Sequence, residues 1–162
     1  MRVILHDLDR QYDGLLAGKC DRLLAADGNY APCRGCFGCW TKHPAECAMK
    51  DALRQVCRVL GRADELVIVT KNLYGGYSAA VKNVLDRAIG TSTPLSTYRG
   101  RQMHHTLRYG KHALWRVLVY GEITEAEKTT FRTLAERNAL NDGYARAEVR
   151  FLSDLSELEA AL

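Results

Sequence analysis

Cys33, Cys36, Cys39 and Cys47 form a C-x2-C-x2-C-x7-C array, a spacing that can gather several thiolates round one small metal or cluster. Thiolates select zinc, copper(I) or iron–sulfur clusters, and successive Cys-x2-Cys steps are how bacterial-type ferredoxins wrap a loop round a four-iron cluster. The fourth spacing departs from that run, with x7 in place of x3 and Pro44 inside the gap. Zinc sites usually present two separated Cys-x2-4-Cys knuckles. Phe37 and Trp40 could instead pack the segment against the fold and leave the thiols unligated. An iron–sulfur cluster, a structural zinc and free thiols all stay open for these four residues. Cys20 and Cys57 fall in apolar patterns and read as core.

Two further stretches carry chemistry. Residues 72–78 place Asn72, Tyr74, Gly75, Gly76, Tyr77 and Ser78 just past an apolar run, so two glycines permit close backbone approach while two tyrosines offer ring faces. A turn ending in a helix N-cap at Ser78 would explain the same residues. Residues 99–112 collect His104, His105 and His112 with Arg99, Arg101, Arg108 and Lys111. Neutral His ligates metals or moves protons near pH 7, and Arg forks grip phosphates bidentately. Arg101, His104, His105 and Arg108 are therefore candidate anion or nucleotide ligands. The plain alternative is a solvated basic loop on a subunit interface. Lys82 and Asp86, at i and i+4, read as a helix-surface ion pair.

The elements that must position these residues alternate. Residues 3–8, 65–71 and 114–121 are short apolar runs of strand length, and residues 147–152 are a weaker fourth. Residues 51–60 carry Leu53, Val56, Cys57 and Leu60 at helical spacing before Gly61. Residues 78–89 repeat the pattern with Val81, Val84, Leu85 and Ala88. Thr124 with Glu127 makes a capping box for a helix to Asn141, ahead of Gly143. Strands alternating with helices predict a single α/β domain over residues 1–162, a doubly wound parallel sheet in three layers, with ligands beyond the carboxyl ends of the strands. Residues 99–112 are expected to be a long irregular connection.

Residues 33–40, Cys47 with Lys50 and Asp51, and residues 74–78 with Lys82, Asp86 and Arg87 together resemble the flavodoxin-like NADPH-dependent FMN reductase superfamily. Within it they are most similar to the iron–sulfur flavoproteins. The resemblance implies a flavodoxin-like fold, FMN held beside the strand ends with residues 72–78 bordering its ring, and NAD(P)H or a ferredoxin-type partner as electron donor. It also implies a homodimer or homotetramer. One feature of such proteins is absent: the Gly-Ser-Pro-Arg type loop after the first strand, whose helix N-terminus holds the FMN phosphate. Here Asp9-Arg-Gln-Tyr-Asp-Gly follows, and if residues 21–26 are the second strand the first helix is truncated or missing. Alternatively Leu15, Leu16, Cys20, Leu23 and Leu24 form that helix and the second strand nearly vanishes. Arg101 and Arg108 could then replace the phosphate cradle or take the 2′-phosphate of NADPH. A rival reading is a degenerate module that has lost FMN and serves as a thiol- or metal-binding interaction protein.

Composition sets the outer limits. The 162 residues are 47% hydrophobic and 26% charged, ordinary for a globular chain and against disorder. The apolar run at residues 3–5 is too short for the core of an export signal, and no stretch is long enough to span a membrane, so a cytoplasmic protein is expected. In that reducing setting clustered thiols bind metal or do redox work more often than they form disulfides. A net charge of +4 suits small anionic ligands, and no nucleic-acid signature accompanies it.

Overall fold

A computed structural model, which describes residues 1–162, has five parallel strands in the order β2-β1-β3-β6-β7: β1 (Arg2–His6), β2 (Arg22–Ala25), β3 (Glu65–Lys71), β6 (His112–Tyr120) and β7 (Tyr144–Phe151). This is the flavodoxin-like order, with the direction of winding reversing between β1 and β3. The central strands are apolar on both faces because helices cover both. One face, bearing Val3, Leu5, Leu66, Ile68, Trp115 and Val117, packs against α2 (Val56–Leu60), α3 (Ala79–Arg87) and α4 (Glu125–Asp142). The other, bearing Ile4, Val67, Val69 and Leu118, packs against α1 (Asp13–Ala17) and α5 (Leu158–Ala161).

The truncated first helix is borne out: α1 has five residues, and Leu23 and Leu24 lie in β2, parallel to β1, not in a helix. Boundaries move: β1, expected over residues 3–8, ends at His6. The helix expected over residues 51–60 begins only at Val56, because the Asp51 carboxylate accepts the Ala31 and Leu53 amides and turns the chain there. The strand expected over residues 147–152 starts earlier, at Tyr144, directly after Gly143 ends α4 in the left-handed conformation at φ 81°. The capping box at Thr124 and Glu127 is formed.

The expected loop at 99–112 is corrected. β4 (Ser92–Arg99) and β5 (Gln102–Leu107) make an antiparallel hairpin separate from the main sheet, and His112 already belongs to β6. The Gly- and Arg-rich tip disguised it, because Gly100, at φ 61°, is the turn of a hairpin rather than part of a structureless run. No helix is long and apolar enough to cross a membrane.

Candidate functional site

The switch point between β1 and β3 is closed by the chain itself. Asp7, the first residue beyond β1, accepts the Lys71 amide at 3.1 Å and the Thr70 hydroxyl at 3.2 Å through Oδ2, and the Tyr120 hydroxyl at 3.1 Å through Oδ1. One carboxylate thus joins the carboxyl ends of β1, β3 and β6. Burial, then the charge of Asp7, pushes the Tyr120 phenol pKa up, so this hydroxyl stays a donor. Beneath it His6 is fully buried, with neither ring nitrogen hydrogen-bonded and Nε2 3.5 Å from Asp13 Oδ1. Burial lowers its pKa against the pull of Asp13 and Asp7.

Next to Asp7, the 72–78 loop is held by its own bonds. The Asn72 side chain donates to the Glu122 carbonyl and accepts the Gly75 amide, and the Ser78 amide donates to Thr70 Oγ1. Ser78 is the N-cap of α3, accepting the Val81 amide. Gly75 lies so close to α4 that an added Cβ would stand 3.1 Å from the Glu127 carbonyl oxygen. Tyr77 is core: its hydroxyl accepts Trp115 Nε1 and Asn138 Nδ2, and burial pushes its pKa up to about 12. Tyr74 is the opposite case, 88% exposed and held at φ 52°, a conformation aromatic residues rarely adopt. Within the loop only the Tyr74 and Tyr77 amides lack an acceptor. The loop therefore presents one projecting ring and two free donors.

The basic segment packs at the C-terminal end of α4, and its His105 and His112 line the same groove as Gly76 and Tyr77. Arg99 binds the Asn141 carbonyl at the end of α4, and His104 Nδ1 lies 3.3 Å from Asn141 Oδ1. His105 packs against Trp40 with ring centroids 4.6 Å apart and planes tilted by 50°, and Arg108 donates to the Gly90 and Ser92 carbonyls. Arg101 is exposed near the hairpin tip. The hairpin meets the C-terminal end of α4 at Asn141, while the 72–78 loop runs along the same helix from Glu127, beside Gly75, to Asn138, bonded to Tyr77.

The cysteine segment lies beside the lower end of α3. Cys33 and Cys36 are exposed, Cys39 is buried and Cys47 half-buried. All four line one chamber of about 240 Å³ with Phe37, Met49 and Arg87. No three His, Cys, Asp or Glu side chains are grouped closely enough to hold a metal ion. Arg87 is the residue that sequence reasoning undervalued. Its side chain is fully buried, forks onto Asp51 at 2.7 and 2.8 Å, and donates to the Ala31 carbonyl. By binding Ala31 and Asp51, which flank the cysteines in sequence, Arg87 clamps both ends of the segment. It holds the Asp51 carboxyl down at about 2, while Asp51 first and Cys47 next raise the Arg87 pKa. Lys82 and Asp86 form the expected surface pair. Cys57 is core, its thiol pushed up to about 12 by burial.

A groove of about 620 Å³ runs between α3 and α4 from Gly76 and Tyr77 to Tyr144, walled by Trp40, Trp115 and His105. Sequence reasoning gave no sign of it, because its walls come from many elements far apart in the chain. Asp142 borders it, and burial, against one hydrogen bond from Thr91, pushes its carboxyl up to about 6.

Comparison with known proteins agrees with this architecture. No curated protein matches the sequence. Among solved structures, an FMN-dependent NADH-azoreductase from Bacillus anthracis in complex with FMN superposes with a TM-score of 0.60 at 10% identity, over 99% of this chain and 92% of the other. Smu.1420 from Streptococcus mutans gives 0.54 at 8%, over 99% and 95%. These establish the fold. The model of the NADPH-dependent FMN reductase family matches residues 23–106, from β2 through the cysteine array and the 72–78 loop to the hairpin. That is more than half of the sequence, and the chain belongs to the NADPH-dependent FMN reductase family.

Proposed function

We propose that the protein is a flavin-binding, NAD(P)H-dependent oxidoreductase in which the flavin ring docks on the 72–78 loop. The observation that carries this reading is the loop itself, which lies inside the family match and combines an exposed Tyr74 ring with two unbonded amides at the carboxyl edge of the sheet. Open α/β sheets bind ligands at that edge. When bound, a flavin supplies hydride and single-electron chemistry, and the protein positions and tunes it. Tyr74 would stack on the ring, while the Tyr74 and Tyr77 amides would donate to its polar edge. Asn72 and Ser78 would fix the loop from behind. The ring end of FMN fits these residues; the phosphate end does not fit the turn after β1, where Asp7, Asp9 and Asp13 stand. The groove opening at Gly76 and Tyr77 offers aromatic walls to a nicotinamide or acceptor.

The test is titration of the purified protein with flavin, followed by NADH and NADPH oxidation. Tyr74→Ala should weaken flavin binding about 3- to 10-fold, the worth of one aromatic contact, with no change in stability. Absence of any flavin affinity would end the proposal.

A second reading is favoured by the chamber: Cys33, Cys36, Cys39 and Cys47 hold an iron–sulfur cluster, which passes electrons onward to a ferredoxin-type partner or acceptor. Four thiols face one cavity beside a buried guanidinium whose Nε has no hydrogen-bond partner, a donor suited to thiolate or sulfide. Binding would require the loop to draw its sulfurs together. Iron and sulfide analysis after anaerobic reconstitution tests this. Self-association as a homodimer or homotetramer belongs to the same proposal, and the exposed Leu95, Tyr98 and Met103 of the hairpin are its supporting surface.

A further inference from the structure

Asp7 stands where a doubly wound sheet of this order offers its ligand site and takes up three of the donors there, while the Leu8 and Asp9 amides, which have no acceptor, lie in a turn that carries the Asp7, Asp9 and Asp13 carboxylates. A phosphate at a switch point needs free amides, a helix N-terminus or cations. The Lys71 amide and the Thr70 and Tyr120 hydroxyls already point at the Asp7 carboxylate. α1 spans five residues, and its first turn contributes Asp13, an acid, with no side-chain cap at Tyr12. The Asp13 Oδ1 atom is buried and without a hydrogen-bond partner. Asp9 is exposed and carries a third negative charge in the same turn.

The cations of this edge do not offset them. Arg10 is exposed and lies near Asp27. Lys71 runs its stem along Gly121, at the end of β6. His6 is kept neutral by burial and faces Asp13.

Resting on the proposal that the 72–78 loop holds a flavin ring, we infer that this site recognises the ring and ribityl chain but not the phosphate, so that unphosphorylated flavin is a ligand at least as good as FMN. A flavin phosphate would meet the carboxylates of Asp7, Asp9 and Asp13 beside those amides. The bound flavin is consequently an exchangeable ligand rather than a resident group anchored by its phosphate. The family match begins at residue 23, beyond this turn, so the acidic turn is a property of this chain outside the matched span.

The experiment is fluorescence-quench titration of the full-length protein with riboflavin and with FMN, at low salt and at physiological salt. Riboflavin should bind as tightly as FMN or about 3- to 10-fold more tightly at low salt, and added salt should strengthen FMN binding alone as the repulsion is screened. Asp9→Asn, at an exposed position whose side chain caps nothing, should leave riboflavin affinity unchanged and improve FMN affinity several-fold. FMN binding tenfold tighter than riboflavin, with affinity falling as salt rises, overturns this inference and leaves the flavin-binding proposal standing. Binding of neither flavin overturns both.

Discussion

Replacing Asp51 with Ala tests the clamp that shapes the cysteine segment. In the folded chain the Arg87 side chain is fully buried, and Asp51 keeps 20% of its side chain exposed. Removing Asp51 leaves a buried guanidinium with the Ala31 carbonyl as its remaining partner, and breaking a buried pair from one side costs about 3–5 kcal/mol. The Ala31 and Leu53 amides lose their acceptor as well. For a chain of this length, about 2–4 °C of melting temperature is lost per kcal/mol, so the expected drop is about 6–20 °C. The assay is urea and thermal denaturation of wild type and variant from pH 7 to pH 2. Because the Asp51 carboxyl is held at about 2, below its ordinary 3.8, its stabilisation is complete above about pH 4 and lost as pH falls towards 2. The gap between wild type and variant should close over that window. Hydrogen exchange of residues 32–50 should speed up in the variant at neutral pH. A loss below about 1 kcal/mol, the range of surface pairs, would refute the assignment of this pair as the structural lock of the segment.

Other perturbations have equally definite outcomes. Tyr77→Phe removes the acceptor of the buried Trp115 indole and of Asn138, and should cost about 1–3 kcal/mol in urea denaturation while leaving the exposed Tyr74 face intact. Gly90→Ala would put a Cβ 2.8 Å from the Cys57 sulfur and 3.0 Å from Cys39 Cβ; a loss of about 1–3 kcal/mol and a changed thiol-labelling rate at Cys39 are expected. His6 is buried with a lowered pKa, so the unfolded chain binds the extra proton and stability should fall as pH drops below about 6.5. His6→Gln should flatten that dependence in denaturation midpoints measured between pH 7 and 5.

The sequence carried the sheet because its signals are local. Val3, Ile4 and Leu5, the β-branched run of β3 and the apolar stretch of β6 are buried on both faces, and such strands are written as continuous apolar runs. The capping box of α4, the N-cap at Ser78, the surface pair of Lys82 and Asp86, and the shortness of the first crossover were legible for the same reason, since each depends on neighbours within a few residues. The family likeness was legible in the cysteine array and the 72–78 loop.

What tertiary structure alone decided are contacts between residues far apart in the chain. Asp7 reads as one more acid after a strand until its carboxylate is found against Thr70, Lys71 and Tyr120. Arg87 reads as a helix-surface cation until it is found buried on Asp51, and Tyr77 as a ligand-facing ring until its hydroxyl is found between Trp115 and Asn138. The basic segment reads as one loop until it is found as a hairpin whose Arg99 and His104 meet the end of α4 and whose Arg108 binds the Gly90 and Ser92 carbonyls. Local pattern fixes which elements form. Packing across the sheet fixes which donors are left free, and therefore what the site can hold.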